Sequence, residues 1–187
     1  MAAPPEKTTQ DLNGKWFMNK QLSDSPEPVL ALQGIGYLTR KGISLASITI
    51  EMKQYTALPL PPSTSTELVA HVNTSQSASG LNGTHEARCL DNTFRAHSDW
   101  IFGNVKGLTR WVSLDEIEDD FLKQGWLVEG DGKTLIFNYV ESDNNGWNAT
   151  QVWGFQVIEG ERRYCRRVLA KKGGKTATVL FVYDFIS

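Results

Sequence analysis

The chain has 187 residues, 19 basic and 21 acidic side chains, a net charge of −2 and 40% hydrophobic residues. That length suits one domain with a substantial core, and the basic residues are too scattered to form a nucleic-acid surface. The polar, proline-bearing start has no apolar run for a signal peptide or a membrane span, so a cytoplasmic protein is expected.

Residues 1–10 read as a disordered tail and 11–187 as a single domain. A first strand is expected over 13–20, containing Gly14-Lys15-Trp16. Ser23-Asp24-Ser25-Pro26 then offers a cap and a proline suited to a first helical turn, ahead of Val29, Leu30 and Leu32. After Gly34 and Gly36, the positions of Tyr37, Leu38, Lys41 and Leu45 predict a second short helix. From Ser47 the pattern changes to period two, with Ile48, Ile50 and Met52 on one face of a strand. Pro59, Pro61 and Pro62 make 58–65 an exposed loop.

Strands are expected at 66–74, 84–90 and 93–100, with a Ser/Gly/Asn-rich loop over 75–83, and a further one at 104–113. Leu114, Ile117, Phe121 and Leu122 recur at helical spacing among acidic residues, which predicts a short amphipathic helix or structured loop with a solvated charged face. The remaining strands fall near 125–129, 133–141, 147–158, 161–171 and 176–185. The chain is therefore mainly β, a single antiparallel barrel of about ten strands with a short helical lid between the first two.

Two hairpin turns, Glu159-Gly160 and Gly173-Gly174, fix the register of the last three strands by counting. Phe155 falls opposite Tyr164, Trp153 opposite Arg166, and Val157 opposite Arg162; across the second turn Arg166 faces Phe181, Tyr164 faces Tyr183, and Arg162 faces Phe185. Alternation puts Trp153, Phe155, Tyr164, Arg166, Phe181 and Tyr183 on one face. A cation among aromatic rings suits a cavity for a mostly apolar molecule with one carbonyl or anionic oxygen. The same face is also compatible with packing alone and an arginine at the rim. The opposite face, with Val152, Gly154, Gln156, Arg163, Cys165, Arg167, Leu180, Val182 and Asp184, is mixed.

No phosphate-cradling glycine loop, HExxH motif or nucleophile elbow occurs, so neither a cofactor nor a metal is expected. Cys89 and Cys165 have no metal-ligand spacing and read as reduced packing residues. Of the three histidines, His97 shares a strand face with Asp99, where a carboxylate could orient the imidazole for proton transfer; a solvent-facing polar pair is the plainer reading.

The stretch Asp11-Leu12-Asn13-Gly14-Lys15-Trp16 resembles the Gly-x-Trp opening of the calycins, the group of lipocalins and intracellular fatty-acid-binding proteins. The run from Pro28 to Lys41, with Leu32-Gln33-Gly34-Ile35-Gly36 and Arg40-Lys41, is similar to the helical lid and following strand of the fatty-acid-binding branch. The chain is also similar to small fungal lipocalin-like proteins, some expected near natural-product pathways. The resemblance implies that Trp16 plugs the closed end of the barrel and that 26–46 cover its entrance. It further implies an Arg-x-Tyr pair at a ligand carboxylate, which Arg162 and Tyr164 match in spacing. Because their strand is penultimate here, Arg166, deeper along it, is the stronger internal cation.

Two functions fit. One is binding of a small hydrophobic, ring-containing or conjugated molecule by Trp153, Phe155, Arg162, Tyr164, Arg166, Phe181 and Tyr183. The other is a cofactor-independent cyclase or isomerase of the pericyclase type, acting on a polyketide- or terpenoid-like substrate, with His97, Asp99, Tyr164 and Arg166 as catalytic groups. The sequence leaves the oligomeric state open.

Overall fold

A computed structural model describes residues 1–79, 81–128, 130 and 132–187. Its strands are β1 (Gly14–Met18), β2 (Ile48–Ala57), β3 (Val69–Ala78), β4 (Leu81–Cys89), β5 (Arg95–Asp99), β6 (Gly103–Val112), β7 (Leu135–Ser142), β8 (Trp147–Ile158), β9 (Glu161–Lys172) and β10 (Lys175–Phe185). They form one antiparallel sheet in the order β4-β3-β2-β1-β10-β9-β8-β7-β6-β5, rolled into a nearly closed barrel. Among the described residues the two edge strands, β4 and β5, share no ladder, and the seam of the barrel lies between them. Helices α1 (Glu27–Leu32) and α2 (Tyr37–Leu45) connect β1 to β2. No helix among the described residues is long and apolar enough to cross a membrane.

The hairpin register counted from the sequence is observed as far as Tyr183: Phe155 pairs with Tyr164, Trp153 with Arg166, Phe181 with Arg166 and Tyr183 with Tyr164, whereas the expected pair of Arg162 with Phe185 does not form, because the Arg162 carbonyl accepts from Ala3 N–H instead. Both turns hold positive φ at each central residue, +51° and +79° at Glu159 and Gly160, and +52° and +77° at Gly173 and Gly174. That backbone twist matches the right-handed twist of the flanking strands, so it locks the pairing without a slip.

The loop expected over 75–83 is mostly strand. Ile48 pairs with Ala78 and Ala78 with Leu81, so ladder bonds on two sides override a turn-rich composition. Residue 80 of that expected loop lies outside the described residues. The strand expected over 125–129 reduces to a bridge between Trp126 and Gln156, with Leu127 N–H donating to the Phe155 carbonyl at 2.8 Å; residue 129 lies outside the described residues.

Residues 1–10 are not a free tail. Ala3 is buried, its N–H donates to the Arg162 carbonyl at 2.8 Å, and Thr9 Oγ1 donates to the Thr134 carbonyl at 2.6 Å. The segment stays because it covers the closed end of the barrel, where apolar surface would otherwise face water.

Two cores result. Inside the barrel, Leu12, Trp16, Ile50, Ile136, Trp153, Phe155, Tyr164 and Tyr183 pack together. Trp16 is fully buried at the closed end, its Nε1 donating to the Leu12 carbonyl at 2.9 Å and its rings against Phe155, Tyr164 and Phe185. Outside the barrel, the face read as mixed forms a second core, in which Val152, Cys165, Leu169 and Val182 are covered by Ile117, Leu122 and Trp126 of the 113–126 insert. The insert contains a 3-10 turn at Leu114–Glu116 and α3 (Asp120–Lys123).

Candidate functional site

Adjacent inward rows of the sheet give the interior its chemistry. One row runs Trp111, Ile136, Trp153, Arg166, Phe181 across β6 to β10, and the next runs Thr109, Asn138, Gln151, Val168, Val179. A third, Gly107, Val140, Ala149, Ala170, Ala177, is built of small side chains. Bulky rows fill the closed end, and the small row leaves space below the helices.

That space is a cavity of about 500 Å³ lined by Arg88, Arg166, Phe181, Tyr183, Gln151 and the lid residues Val29 and Leu30. A second cavity of about 570 Å³ lies along the seam, lined by Phe94, His97, Phe102, Asn138, Val140 and Trp147 among others. The two share Gln33, Glu86, Arg88, Asp99, Phe102, Ala149 and Gln151, so they are lobes meeting at a polar waist. Lobes of this size suit a drug-sized organic molecule.

Arg166 is the central cation. Its guanidinium lies 3.9 Å from the Trp153 ring and 5.5 Å from those of Tyr164 and Tyr183. Its Nε donates to Tyr164 Oη at 2.9 Å, while Nη2 is buried with no hydrogen-bond partner among the described residues. Burial pushes the Tyr164 phenol up despite the neighbouring Arg166, and does the same to Tyr183. Both are therefore neutral phenols at ordinary pH, and the Tyr164 ring lies against that of Tyr183 at a tilt of 36°, with centroids 5.3 Å apart.

Of the residues singled out in the sequence, Arg166, Phe181 and Tyr183 line the first lobe. Trp153, Phe155 and Tyr164 are fully buried beneath it and support Arg166 as a floor. Arg162 is turned to the closed end. Its guanidinium lies 3.8 Å from the Phe155 ring and donates to the carbonyls of Pro4 and Lys7 at 3.3 and 2.7 Å. Its expected contact with ligand is thus corrected: the N-terminal segment takes its donors, and it lines neither lobe.

His97 and Asp99 do meet, with Nε2 3.4 Å from Asp99 Oδ2, and Glu86 Oε1 lies 3.9 Å away on the other side of the seam. The ligand atoms of these three side chains fall within 4.8 Å of one another. Each carboxylate already has a partner, however: Asp99 Oδ1 accepts from the N–H groups of Ile101 and Phe102, and Glu86 pairs with Arg88. The cluster therefore sets side chains of β4 and β5 against each other at the seam, with His97 Nε2 buried and without a hydrogen-bond partner among the described residues.

Arg88, with its partner Glu86, is the functional residue the sequence reading missed. It sits at the waist, 4.9 Å from the Trp153 ring, with Nη1 donating to Thr74 Oγ1 at 3.3 Å. Burial, with Arg166 adding to it, lowers its pKa, and Glu86 opposes this. The available signal was the alternation Thr84, Glu86, Arg88, which looks like an exposed face and is in fact the inner one.

No protein-family model matches the chain. It is 33% identical to the probable pericyclase scpY of Mollisia scopiformis over 99% of this chain and 95% of that one, and 29% identical to the pericyclase pydY of an Acremonium species over 100% and 97%. Among solved structures it is similar to the fluorescent protein UnaG, with a TM-score of 0.53 at 11% identity over 94% of this chain and 97% of the other. The nearly closed antiparallel barrel expected from the sequence is the fold the chain shares with UnaG. With a third of its residues shared along nearly the whole of both chains, this protein belongs to the same family as the probable pericyclase scpY.

Proposed function

We propose that the chain is a cofactor-independent cyclase of the pericyclic type, which folds a flexible conjugated substrate of polyketide- or terpenoid-like character inside the barrel. The observation that carries this is Arg166, a buried cation with an unused N–H beside an aromatic-lined cavity of about 500 Å³. The names of its relatives support the same reading.

A pericyclic ring closure moves π electrons into new σ bonds in one step. It needs no base, no electron acceptor and no leaving group, and the product has the mass of the substrate. Two contributions are then left to the protein. The lobes and lid hold the reacting carbons within near-attack distance, which removes entropy that free solution would charge to the barrier. Arg166 donates to a substrate carbonyl conjugated with the reacting alkene, drawing electron density from it and stabilising charge as it develops. Tyr164 holds the guanidinium by accepting from Nε, and the Trp153 face holds it in plane. His97 and Asp99 have no proton to move in such a step, so in this reading they join the seam rather than catalyse.

Incubating the purified protein with a metabolite extract of the organism that makes it, followed by mass spectrometry, tests the proposal. Conversion of one component into an isomer of equal mass is expected, slowed about 100-fold by Arg166→Met in a folded variant. A component that binds and is recovered unchanged would instead make the protein a carrier.

A further inference from the structure

The inner row of β6, β7 and β8 holds a buried acceptor that the proposed reaction does not use. Asn138 is 2% exposed and lines the second lobe. Both hydrogens of its Nδ2 are committed, to the Leu108 carbonyl at 3.2 Å and to Thr109 Oγ1 at 2.9 Å. Because a backbone carbonyl can only accept, the Leu108 bond fixes which way the amide points. Asn138 Oδ1 is then left buried with no donor among the described residues.

An acceptor desolvated and unpaired is costly, and a leucine of nearly the same volume would remove that cost. Its neighbours make the position a place for a ligand. Gln151, opposite Asn138 in register, lines both lobes, and its Oε1 is occupied by Trp153 Nε1 at 3.0 Å. Around it the lobe is apolar, with Phe94, Phe102, Val105, Val140 and Trp147. Arg166 stands one row below and two strands away, which at the usual strand spacing is roughly 10 Å across the sheet. The two sites are complementary in sign, a donor at Arg166 and an acceptor at Asn138.

We infer that Asn138 is a specificity-determining residue, which accepts a hydrogen bond from a hydroxyl or amide N–H carried by the substrate apart from the carbonyl at Arg166. This rests on the cyclase reading for the carbonyl contact, but the acceptor stands on its own geometry. The substrate class is thus narrowed to a conjugated carbonyl compound with a separate hydrogen-bond donor, lying across the waist with one part in each lobe. A donor at Asn138 also sets the register in which the chain lies, and so which alkene carbons are brought together.

The test is calorimetric binding of 4-hydroxychalcone and 4-methylchalcone, two conjugated ketones of nearly the same shape that differ in one O–H. Apolar burial alone favours the methyl compound. With Asn138 accepting, the hydroxyl compound should bind wild-type protein at least about fivefold more tightly. In Asn138→Leu that order should reverse, and in Arg166→Met both should weaken while the preference remains. Equal or tighter binding of the methyl compound by wild-type protein, or no binding of the hydroxyl compound, overturns the assignment without any variant having to fold. A preference that persists while Arg166→Met leaves both affinities unchanged would instead remove the carbonyl contact at Arg166.

Discussion

Trp16 shows how much one side chain can carry. It is wholly buried, hydrogen-bonded through Nε1 and packed on three other rings, so Trp16→Ala leaves a cavity at the closed end and an orphaned Leu12 carbonyl. A loss of about 3–5 kcal/mol is expected from urea denaturation. Burial also governs the two thiols, pushing Cys165 up to about 12 and raising Cys89. Neither thiolate should react with a disulfide reagent at pH 8 in native protein, and both should react in denaturant; rapid native labelling of either would count against the packing described. Trp16 was readable from its motif, and Arg166 from counting across two turns. Arg88 and Glu86 were not, because an inward strand face with alternating charges has the same pattern as an outward one. Only the roll of the sheet past β3 tells them apart. Arg162 shares a face with Tyr164, yet that face passes from cavity to sealed floor within one residue pair.

The insert over 113–126 turns the outer face of β8 and β9 into a second core, and its fit is tight at Gly154. A Cβ there would sit 2.6 Å from Leu135 Cδ2 and 2.9 Å from Trp126 Cε3. Gly154→Ala should cost about 1–3 kcal/mol in chemical denaturation, with the insert released before the barrel. The insert begins with a cap in which Ser113 N–H and Oγ both donate to Glu116 Oε2, at 2.9 and 2.8 Å. The Ser113 N–H, then Lys133 and the Ser113 hydroxyl, hold the Glu116 carboxyl down to about 2 from an ordinary 4.5. A depressed carboxylate stabilises the fold above its unfolded value and loses that contribution as pH falls through its folded one. The stability difference between wild type and Glu116→Gln should therefore shrink between about pH 4.5 and 2, and a difference that grows there would reverse the sign. Helical periodicity at 114–123 was visible in the sequence, but what it packs on was not. The outer face it covers looks mixed because Gln156 and Arg167 stand among the apolar residues, and Gln156 is itself satisfied by the insert, donating to the Gln124 carbonyl at 2.8 Å.

The barrel as a whole is held unevenly, and the uneven part borders the cavity. β9 is paired on both sides from Tyr164 to Lys172, whereas among the described residues β4 pairs only with β3 and β5 only with β6. Across the seam the described contacts are side-chain ones, centred on Glu86, His97 and Asp99. Unpaired edge amides exchange through small openings, while those of β9 need the barrel to come apart. Hydrogen exchange should therefore be slowest in β9 and at least roughly 100-fold faster at the outward-edge amides of β4 and β5. Glu86 and Arg88 on β4 and Asp99 at the end of β5 line both lobes, so a molecule lying across the waist touches both edges at once. Saturating ligand should slow exchange on β4 and β5 together and leave β9 unchanged. Protection confined to the lid helices would place the ligand in the first lobe alone, and no protection on either edge would mean that the waist is not where it binds.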